Sequence, residues 1–395
     1  MVINMECLIG MRMMLADNSI DAVVTDPPYG LSKQPDMNEV LRHWLNGDDY
    51  VHTGGGFMGK TWDSFVPGPS IWKEVFRVLK PGGHLLAFFG TRTYDLGTLA
   101  IRLAGFEIRD QIDWVYGSGF PKSLDVSKAM GDEQWQGWGT ALKPAHEPIC
   151  VARKPLAGTV ADNVRQFGTG GMNIDGCRVE LNGDFKSVAN GRPSITGLSD
   201  NYDPLTANQP DTQGRFPANF IHDGSEEVVS LFPAKAGAGA PVKGTEQSEV
   251  TNGIYGKFND RVPGQFYSDT GSAARFFYCA KASKSDRDEG VLLAKTTAAE
   301  MTDREPDTDG LNSPRAGAGR TSGARNNHPT VKPTALMQWL VRLVTPPGGK
   351  VLDPFTGSGS TGKACAIEGF DFIGFEMDPH YCEIAKQRIN YVHNR

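Results

Sequence analysis

Strand-like and helix-like segments alternate at the two ends of this 395-residue chain and stop alternating in between. Ile20–Thr25 and residues 83–89 and 148–152 are short, apolar and bounded by Gly, Pro or charge, the form of strands buried on both faces of a parallel sheet. Between them, residues 69–79 space Ile71, Val75, Phe76 and Leu79 as an amphipathic helix that Pro81, Gly82 and Gly83 should end. The C-terminal stretch repeats the pattern: a helix at Thr334–Val344, a strand at 350–352, a glycine-rich turn, a helix through Ile367, a strand at 371–375 and a last helix. Such alternation implies an α/β fold with helices on both faces of a parallel sheet. From about Leu156 to Arg325, Gly, Asn, Asp, Ser and Pro recur every few residues, and apolar clusters are brief, as at 215–222 and 274–280. Residues 1–156 and 326–395 are therefore expected to form two halves of one sheet, interrupted by an irregular insert at 157–325. Segments 234–253 and 294–327 hold almost no large apolar residue and should be long surface stretches, mobile unless a partner orders them.

Charge and cysteine content narrow the class of protein. Lys+Arg number 40 against 46 Asp+Glu, a net charge of −6, and the insert alone carries 18 against 22. No overall basic field is available, so on composition alone nucleic acid is a less common partner than average. Cys7, Cys150, Cys177, Cys279, Cys365 and Cys382 lie far apart, without C-x-x-C or a Cys/His cluster at zinc spacing, which fits a reduced, metal-free protein. No stretch approaches the ~18 apolar residues of a membrane span, and the N-terminus lacks a signal-peptide pattern. A cytoplasmic location without membrane partners is expected.

Three motifs carry chemistry. Gly357-Ser-Gly359-Ser-Thr-Gly362-Lys363-Ala364 follows an apolar strand and opens a helix. As a phosphate loop it fails, because Ala364 stands where the magnesium-binding hydroxyl is required. As G-x-G-x-x-G with Glu376 at the end of the next strand, it suits a cofactor whose ribose hydroxyls need a carboxylate. NAD and S-adenosylmethionine both qualify, and a tight turn that merely needs glycine accounts for the same residues.

Asp26-Pro27-Pro28-Tyr29 directly follows Ile20–Thr25. A carboxylate there sits at the edge where parallel sheets bind ligands. The prolines fix the backbone, leave the Pro27 carbonyl free to accept a hydrogen bond and hold the Tyr29 ring outward. An exocyclic amino group has two N–H donors, and Asp26 with the Pro27 carbonyl offers two acceptors. A proline-rich strand exit is the plain alternative. The third motif, Asn327-His328-Pro329-Thr330-Val331-Lys332-Pro333, reads by itself as a helix entry.

Together, DPPY, a long insert, HPTVKP, LDPFTGSGSTG and GFEMD, in that order, resemble the β class of DNA amino-methyltransferases. The phrases ALKPAHEPICVARKP, FPANFIHDGSEEV and SAARFFYCAKASKSDR further resemble its phage and prophage branch, which places the protein in a bacterium or an infected host. The resemblance implies a Rossmann-like S-adenosylmethionine-dependent sheet, circularly permuted so that the catalytic half precedes the cofactor half. The insert would be the target-recognition domain.

Carried over by residue, Asp26, Pro27 and Tyr29 would meet a flipped base, with Pro28 shaping the loop. Asp353, Phe355, Thr356, Gly357 and Gly359 would surround the methionine part of S-adenosylmethionine, and Glu376 its ribose. Thr330 and Lys332 would seat the cofactor, Lys332 at its carboxylate. Met5-Glu6-Cys7 replaces the class's Gly-Asp-Cys, so Glu6, beside Cys7, is a longer acid facing the cofactor's adenine. Trp114 is either a wall of the base pocket or a core residue.

Double-stranded DNA is the implied partner, and a second copy of the chain is another, since the class commonly dimerises. The DPPY spelling points to adenine N6, with cytosine N4 as the alternative on the same scaffold. No cysteine follows a proline as carbon-5 methylation of cytosine requires. RNA- and protein-directed relatives place the glycine motif before the Pro-Pro-Tyr motif, opposite to the order here. An NAD-dependent oxidoreductase would leave DPPY and HPTVKP without a task, and an idle DNA-binding partner would be expected to have lost one of them. In the insert, Arg275, Lys281 and Lys284 form the densest cationic cluster, either a phosphate contact or a solvated helix face balanced by Asp286, Asp288 and Glu289.

Overall fold

A computed structural model describes residues 1–31, 33–52, 61–119, 123–181, 185–186, 214–236, 266–267, 270–281, 283–297 and 323–395. The chain divides into two compact units, one comprising Met1–Cys177, Asn219–Val228 and Cys279–Arg395, the other Arg178–Ala218 and Val229–Tyr278.

The first unit is built on a twisted sheet. Its strands are β1 (Val2–Asn4), β2 (Ile20–Thr25), β3 (Leu79–Phe88), β4 (Glu107–Val115), β5 (His146–Arg153), β6 (Phe220–His222), β7 (Lys350–Asp353) and β8 (Asp371–Glu376). In space they run β1-β8-β7-β2-β3-β5-β4-β6, with the two-residue strand Tyr278–Cys279 as the ninth, beyond β6. Neighbours among β1–β8 are parallel except at β5, which is antiparallel to both β3 and β4. Thus β7 and β8, last in sequence, lie between β1 and β2, the first two strands. The carboxyl ends of β8, β7, β2 and β3 open on one edge, where open parallel sheets bind ligands.

Apolar spacing accounts for the packing. In the helix Pro69–Val78, the side chains of Trp72, Val75 and Val78 are fully buried, and the Trp72 indole N–H donates to the Pro67 carbonyl at 3.2 Å. The helix Thr334–Val344 has the predicted limits and buries Leu336, Leu340 and Val341 completely. Strand β3 differs from expectation, starting at Leu79 and carrying Pro81, Gly82 and Gly83 within it. Leu79 pairs with Ile20, and the register shifts before Ala22 meets His84. The kinked backbone is satisfied from residues 154–169: Lys154 N–H donates to Gly83 O at 2.9 Å, and Asn163 Nδ2 and Thr169 Oγ1 donate to Pro81 O at 2.9 and 2.6 Å. Asn163, wholly buried, also accepts from Ala157 N–H at 2.9 Å. Residues 157–177 accordingly pack with the sheet although their composition is that of the insert.

In the second unit, Phe185–Lys186 pairs antiparallel with Phe266–Tyr267, Val179 and Arg215 form a bridge, and the Phe232 and Phe277 rings lie 5.6 Å apart. Of the segments expected to be mobile, 237–253 and 298–322 lie outside the described residues. Among the described residues no helix is long and apolar enough to cross a membrane, and no group of three or more His, Cys, Asp or Glu is placed to hold a metal ion.

Candidate active site

At the carboxyl edge of the first unit's sheet lies a cavity of about 1670 Å³. Every site residue predicted from sequence lines it except Gly359. Single small-molecule sites occupy roughly 300–1,000 Å³, so this space can hold two ligands side by side.

One end is a buried cluster of charges and phenols. Asp26 follows β2, Lys332 precedes the helix Thr334–Val344, and Glu147 opens β5. The Lys332 ammonium donates to Asp26 Oδ2 at 2.7 Å and lies 3.2 Å from Glu147 Oε2. The Tyr29 hydroxyl donates to Glu147 Oε2 at 2.9 Å, and the Tyr116 hydroxyl to Glu147 Oε1 at 3.4 Å. Lys332 Nζ also stands 5.4 Å from the Tyr29 ring centre and 5.0 Å from that of Phe88.

Burial raises the Asp26 pKa, the Lys332 charge opposes that rise, and Glu147 adds to it. Burial works against the Lys332 ammonium, but Asp26 and Glu147 outweigh it and hold its pKa above the usual lysine value. Burial and the two nearby carboxylates push the Tyr29 phenol far above its normal range. Asp26 Oδ1 is buried and accepts no hydrogen bond. An unsatisfied buried acceptor is costly unless a ligand donor meets it.

The loop that carries Tyr29 is pinned from outside the motif. Asp63 Oδ1 accepts from Tyr29 N–H at 2.7 Å and from Gly30 N–H at 3.2 Å, and Thr93 Oγ1 donates to Tyr29 O at 2.6 Å. Trp62, next to Asp63, stacks on His328 at 6.1 Å with an interplanar angle of 19°.

The glycine-rich turn forms the other end. Gly357 and Gly359 have φ of +51° and +80°, left-handed values that favour glycine. A Cβ on Gly357 would lie 2.9 Å from His328 Nε2, and one on Gly359 would lie 2.8 Å from Ala385 Cα. Gly359, the N-cap of the helix Ser360–Glu368, thus serves close helix packing rather than the cavity wall.

Glu376 Oε2 accepts from Gly357 N–H and Oε1 from Asp378 N–H, both at 2.8 Å. Burial nevertheless lifts its pKa to about 7. Asp353 is also raised by burial, to about 6, and is fully engaged by Thr25 Oγ1 and Thr361 Oγ1 at 2.6 Å and Phe355 N–H at 3.1 Å. Thr356 N–H donates to Phe375 O at 3.0 Å, and Thr330 N–H to His328 Nδ1 at 3.3 Å.

One placement departs from the sequence reading and others add to it. Lys332 lies on Asp26, at the Pro-Pro-Tyr end. Both Glu6 oxygens cap the helix Cys7–Met14 through Leu8 and Ile9 N–H at 2.9 Å and Cys7 packs in the core, while both residues also line the cavity. Trp114 is buried off the cavity, with its ring 4.9 Å from Tyr116, which does line it. Lys363 turns inward to Asp286 at 2.6 Å and Glu289 at 2.8 Å, which adds to the case against a phosphate loop.

Asp286 is correspondingly no solvated residue. It accepts from the Thr334 backbone and hydroxyl at 2.7 and 2.5 Å. Burial works to raise its pKa, but Lys363 and Thr334 hold it below the usual value. Arg275 donates to the carbonyls of Gly271, Ser272 and Ala236, Lys281 is exposed, and the Lys284 side chain lies outside the described residues. The cavity also takes in Glu147, Tyr116, Asp63 and His328, which the sequence reading does not assign to it.

The family model described as DNA methylase, of the N6/N4 type, matches residues 20–387. DNA adenine methyltransferase YhdJ of Escherichia coli (strain K12) is 41% identical over 64 residues, 16% of this chain and 22% of that protein. Type II methyltransferase M.SmaI of Serratia marcescens is 43% identical over 63 residues, again 16% and 22%. The chain thus spans about a fifth of the length of these curated relatives. Among solved structures, the M1.HpyAVI–SAM complex aligns with a TM-score of 0.39 at 14% identity, covering 98% of each chain. The cytosine-N4-specific PvuII DNA methyltransferase aligns at 0.46 and 14% identity, covering 100% of this chain and 91% of that one. With a family match over nearly its whole length and the Pro-Pro-Tyr and glycine-rich motifs facing one cavity, the chain belongs to the N6/N4 DNA methylase family.

Proposed function

We propose that this protein transfers a methyl group from S-adenosylmethionine to the exocyclic N6 of an adenine flipped out of double-stranded DNA. The observation that carries the reading is Asp26 Oδ1, a buried acceptor without a donor, in the same cavity as the glycine turn and Glu376. The residues fit both ligands. Gly357 leaves a cradle that a side chain would close, and each Glu376 oxygen has a lone pair left for a ribose hydroxyl after its backbone bond. Bound S-adenosylmethionine would supply a sulfonium-activated methyl, so the protein's task is chiefly positioning.

Asp26 Oδ1 and the Pro27 carbonyl accept the two N–H groups of the target amine and leave its lone pair free. Tyr29 stacks on the base, which offsets roughly 1–3 kcal/mol of the few kcal/mol that extrusion costs. As the nitrogen becomes cationic, the Asp26 carboxylate stabilises it until a proton leaves. No covalent link to the enzyme is needed. Asp353, whose oxygens are engaged by Thr25 and Thr361, acts by fixing the loop that Phe355, Thr356 and Gly357 present to the cofactor. Lys332 opposes the rise that burial gives the Asp26 pKa and so favours its charged form. The second unit, with residues of 157–325, would read the DNA sequence.

The test is incubation of plasmid DNA with labelled S-adenosylmethionine, followed by nucleoside mass spectrometry. Wild type should yield N6-methyldeoxyadenosine, and Asp26→Ala should abolish it while cofactor binding persists. A near-normal rate in Asp26→Ala refutes the role of Asp26, and N4-methyldeoxycytidine as the product assigns the alternative base.

A further inference from the structure

Glu147 is the acceptor that three donors of the base-side cluster share: the Tyr29 hydroxyl at 2.9 Å, the Lys332 ammonium at 3.2 Å and the Tyr116 hydroxyl at 3.4 Å. It reaches them because β5 alone runs antiparallel. The strand's first residues, His146 and Glu147, therefore stand at the edge where its neighbours end, with Glu147 opposite Trp114 near the end of β4.

Two consequences follow from chemistry. A phenol donating to a fixed carboxylate loses its rotational freedom, so Glu147 sets where the Tyr29 ring face lies. The cluster also holds two carboxylates and one ammonium. Asp26 and Lys332 compensate each other, and within this cluster the remaining negative charge is that of Glu147. In a low-dielectric cavity such a charge favours a reacting group that turns positive.

We propose, resting on the amino-methylation reading above, that Glu147 is a positioning residue for methyl transfer. It orients Tyr29 and Lys332, and its charge leaves the Asp26–Lys332 pair with a net negative field toward the nitrogen that becomes cationic. A purely structural anchor would need only an acceptor for the two phenols, and glutamine is one.

The experiment measures kcat and KM for unmethylated plasmid DNA and for S-adenosylmethionine in wild type, Glu147→Gln, Glu147→Asp and Glu147→Ala. Glu147→Gln should lower kcat at least about tenfold with both KM values within about twofold of wild type. Glu147→Ala should in addition raise KM for DNA, because Tyr29 loses its anchor. Glu147→Asp, which keeps the charge, should retain a higher kcat than Glu147→Gln, and this comparison stands even where the alanine variant does not fold. Wild-type kcat in Glu147→Gln, or Asp no better than Gln, overturns the role of Glu147 and leaves the amino-methylation reading intact. A wild-type protein that binds S-adenosylmethionine and methylates no plasmid DNA overturns both.

Discussion

Cofactor binding should release protons, and Glu376 sets how many. Burial lifts this carboxyl to about 7, against two backbone N–H bonds that act to lower it. A ribose hydroxyl donating to the charged form would bring its pKa back down. At pH 6.5 a group titrating near 7 is about three-quarters protonated, so up to about 0.8 proton should leave per S-adenosylmethionine bound, falling to about 0.1 at pH 8. Asp353, lifted to about 6, has all its partners inside the protein and should change little on binding.

The assay is calorimetry of S-adenosylmethionine binding in phosphate and in Tris, where the difference in apparent enthalpy gives the proton count. The ligand-free protein carries the matching signature. A carboxyl raised in the folded state contributes stability that is complete below its unfolded value near 4.5 and is lost as pH rises through about 7. Its melting temperature should therefore fall across that window, and fall less with cofactor present. Proton uptake, or no buffer dependence at pH 6.5, would refute the ribose assignment of Glu376.

Two further perturbations test the surroundings of Lys363 and Glu6. Lys363→Met removes the cation that Asp286 and Glu289 share, leaving Arg388 at 3.9 Å from Asp286 and Arg395 at 3.4 Å from Glu289. Glu289 is about a third exposed, so the lower end of the range for breaking a buried pair applies, about 3 kcal/mol or about 5 °C in a unit of roughly 300 residues. An unchanged melting temperature together with lost nucleotide-triphosphate binding would favour the phosphate loop that both Ala364 and the inward Lys363 count against. Glu6→Ala removes the cap from Leu8 and Ile9 N–H and should cost about 1 kcal/mol in thermal or denaturant unfolding, with S-adenosylmethionine affinity within about threefold. A larger loss of affinity would mean that Glu6 touches the cofactor directly.

What could be read from the chain alone was what local chemistry decides. The helix at Thr334–Val344 and the strand at Ile20–Thr25 follow from apolar spacing and flanking breakers, and they appear with those limits. The Pro-Pro-Tyr and glycine-rich motifs announce themselves because their backbone needs rare residue types. Glu147 was not legible: the apolar run at 148–152 reads as the strand and leaves Glu147 in its polar flank, and nothing there says that this strand starts at His146 and runs backwards. Lys332 gave a signal for its importance but not for its neighbour, since it takes the packing of the helix Thr334–Val344 against β2 to bring residues 306 apart within 2.7 Å. Asp286 lies in a charged helix that looks solvated, and its burial depends on the distant Lys363 and Thr334.

The permuted order raises a physical question: why a long excursion between two central strands does not dismantle the site. Strands β2 and β7 pair directly, yet Thr25 and Asp353 are 328 residues apart. Relative to a 20-residue crossover, closing so long a loop costs about 2.5 kcal/mol more, since each doubling adds only about 0.6. The structure of residues between the two strands lowers that figure further. Against it stand side-chain bonds at both ends of the pairing. Asp353 accepts from Thr25 at one end, and at the other Asp21 accepts from the Lys350 N–H at 2.8 Å and from the Lys80 ammonium at 2.5 Å. Hydrogen bonds to charged groups contribute about 1.5–3 kcal/mol each, so the two that join the strands offset the loop term. The site depends on which strands are neighbours, not on the order in which the chain supplies them. The part of the insert outside the first unit, Arg178–Ala218 and Val229–Tyr278, can therefore change in length and composition while Asp26, Lys332 and the glycine turn keep their places.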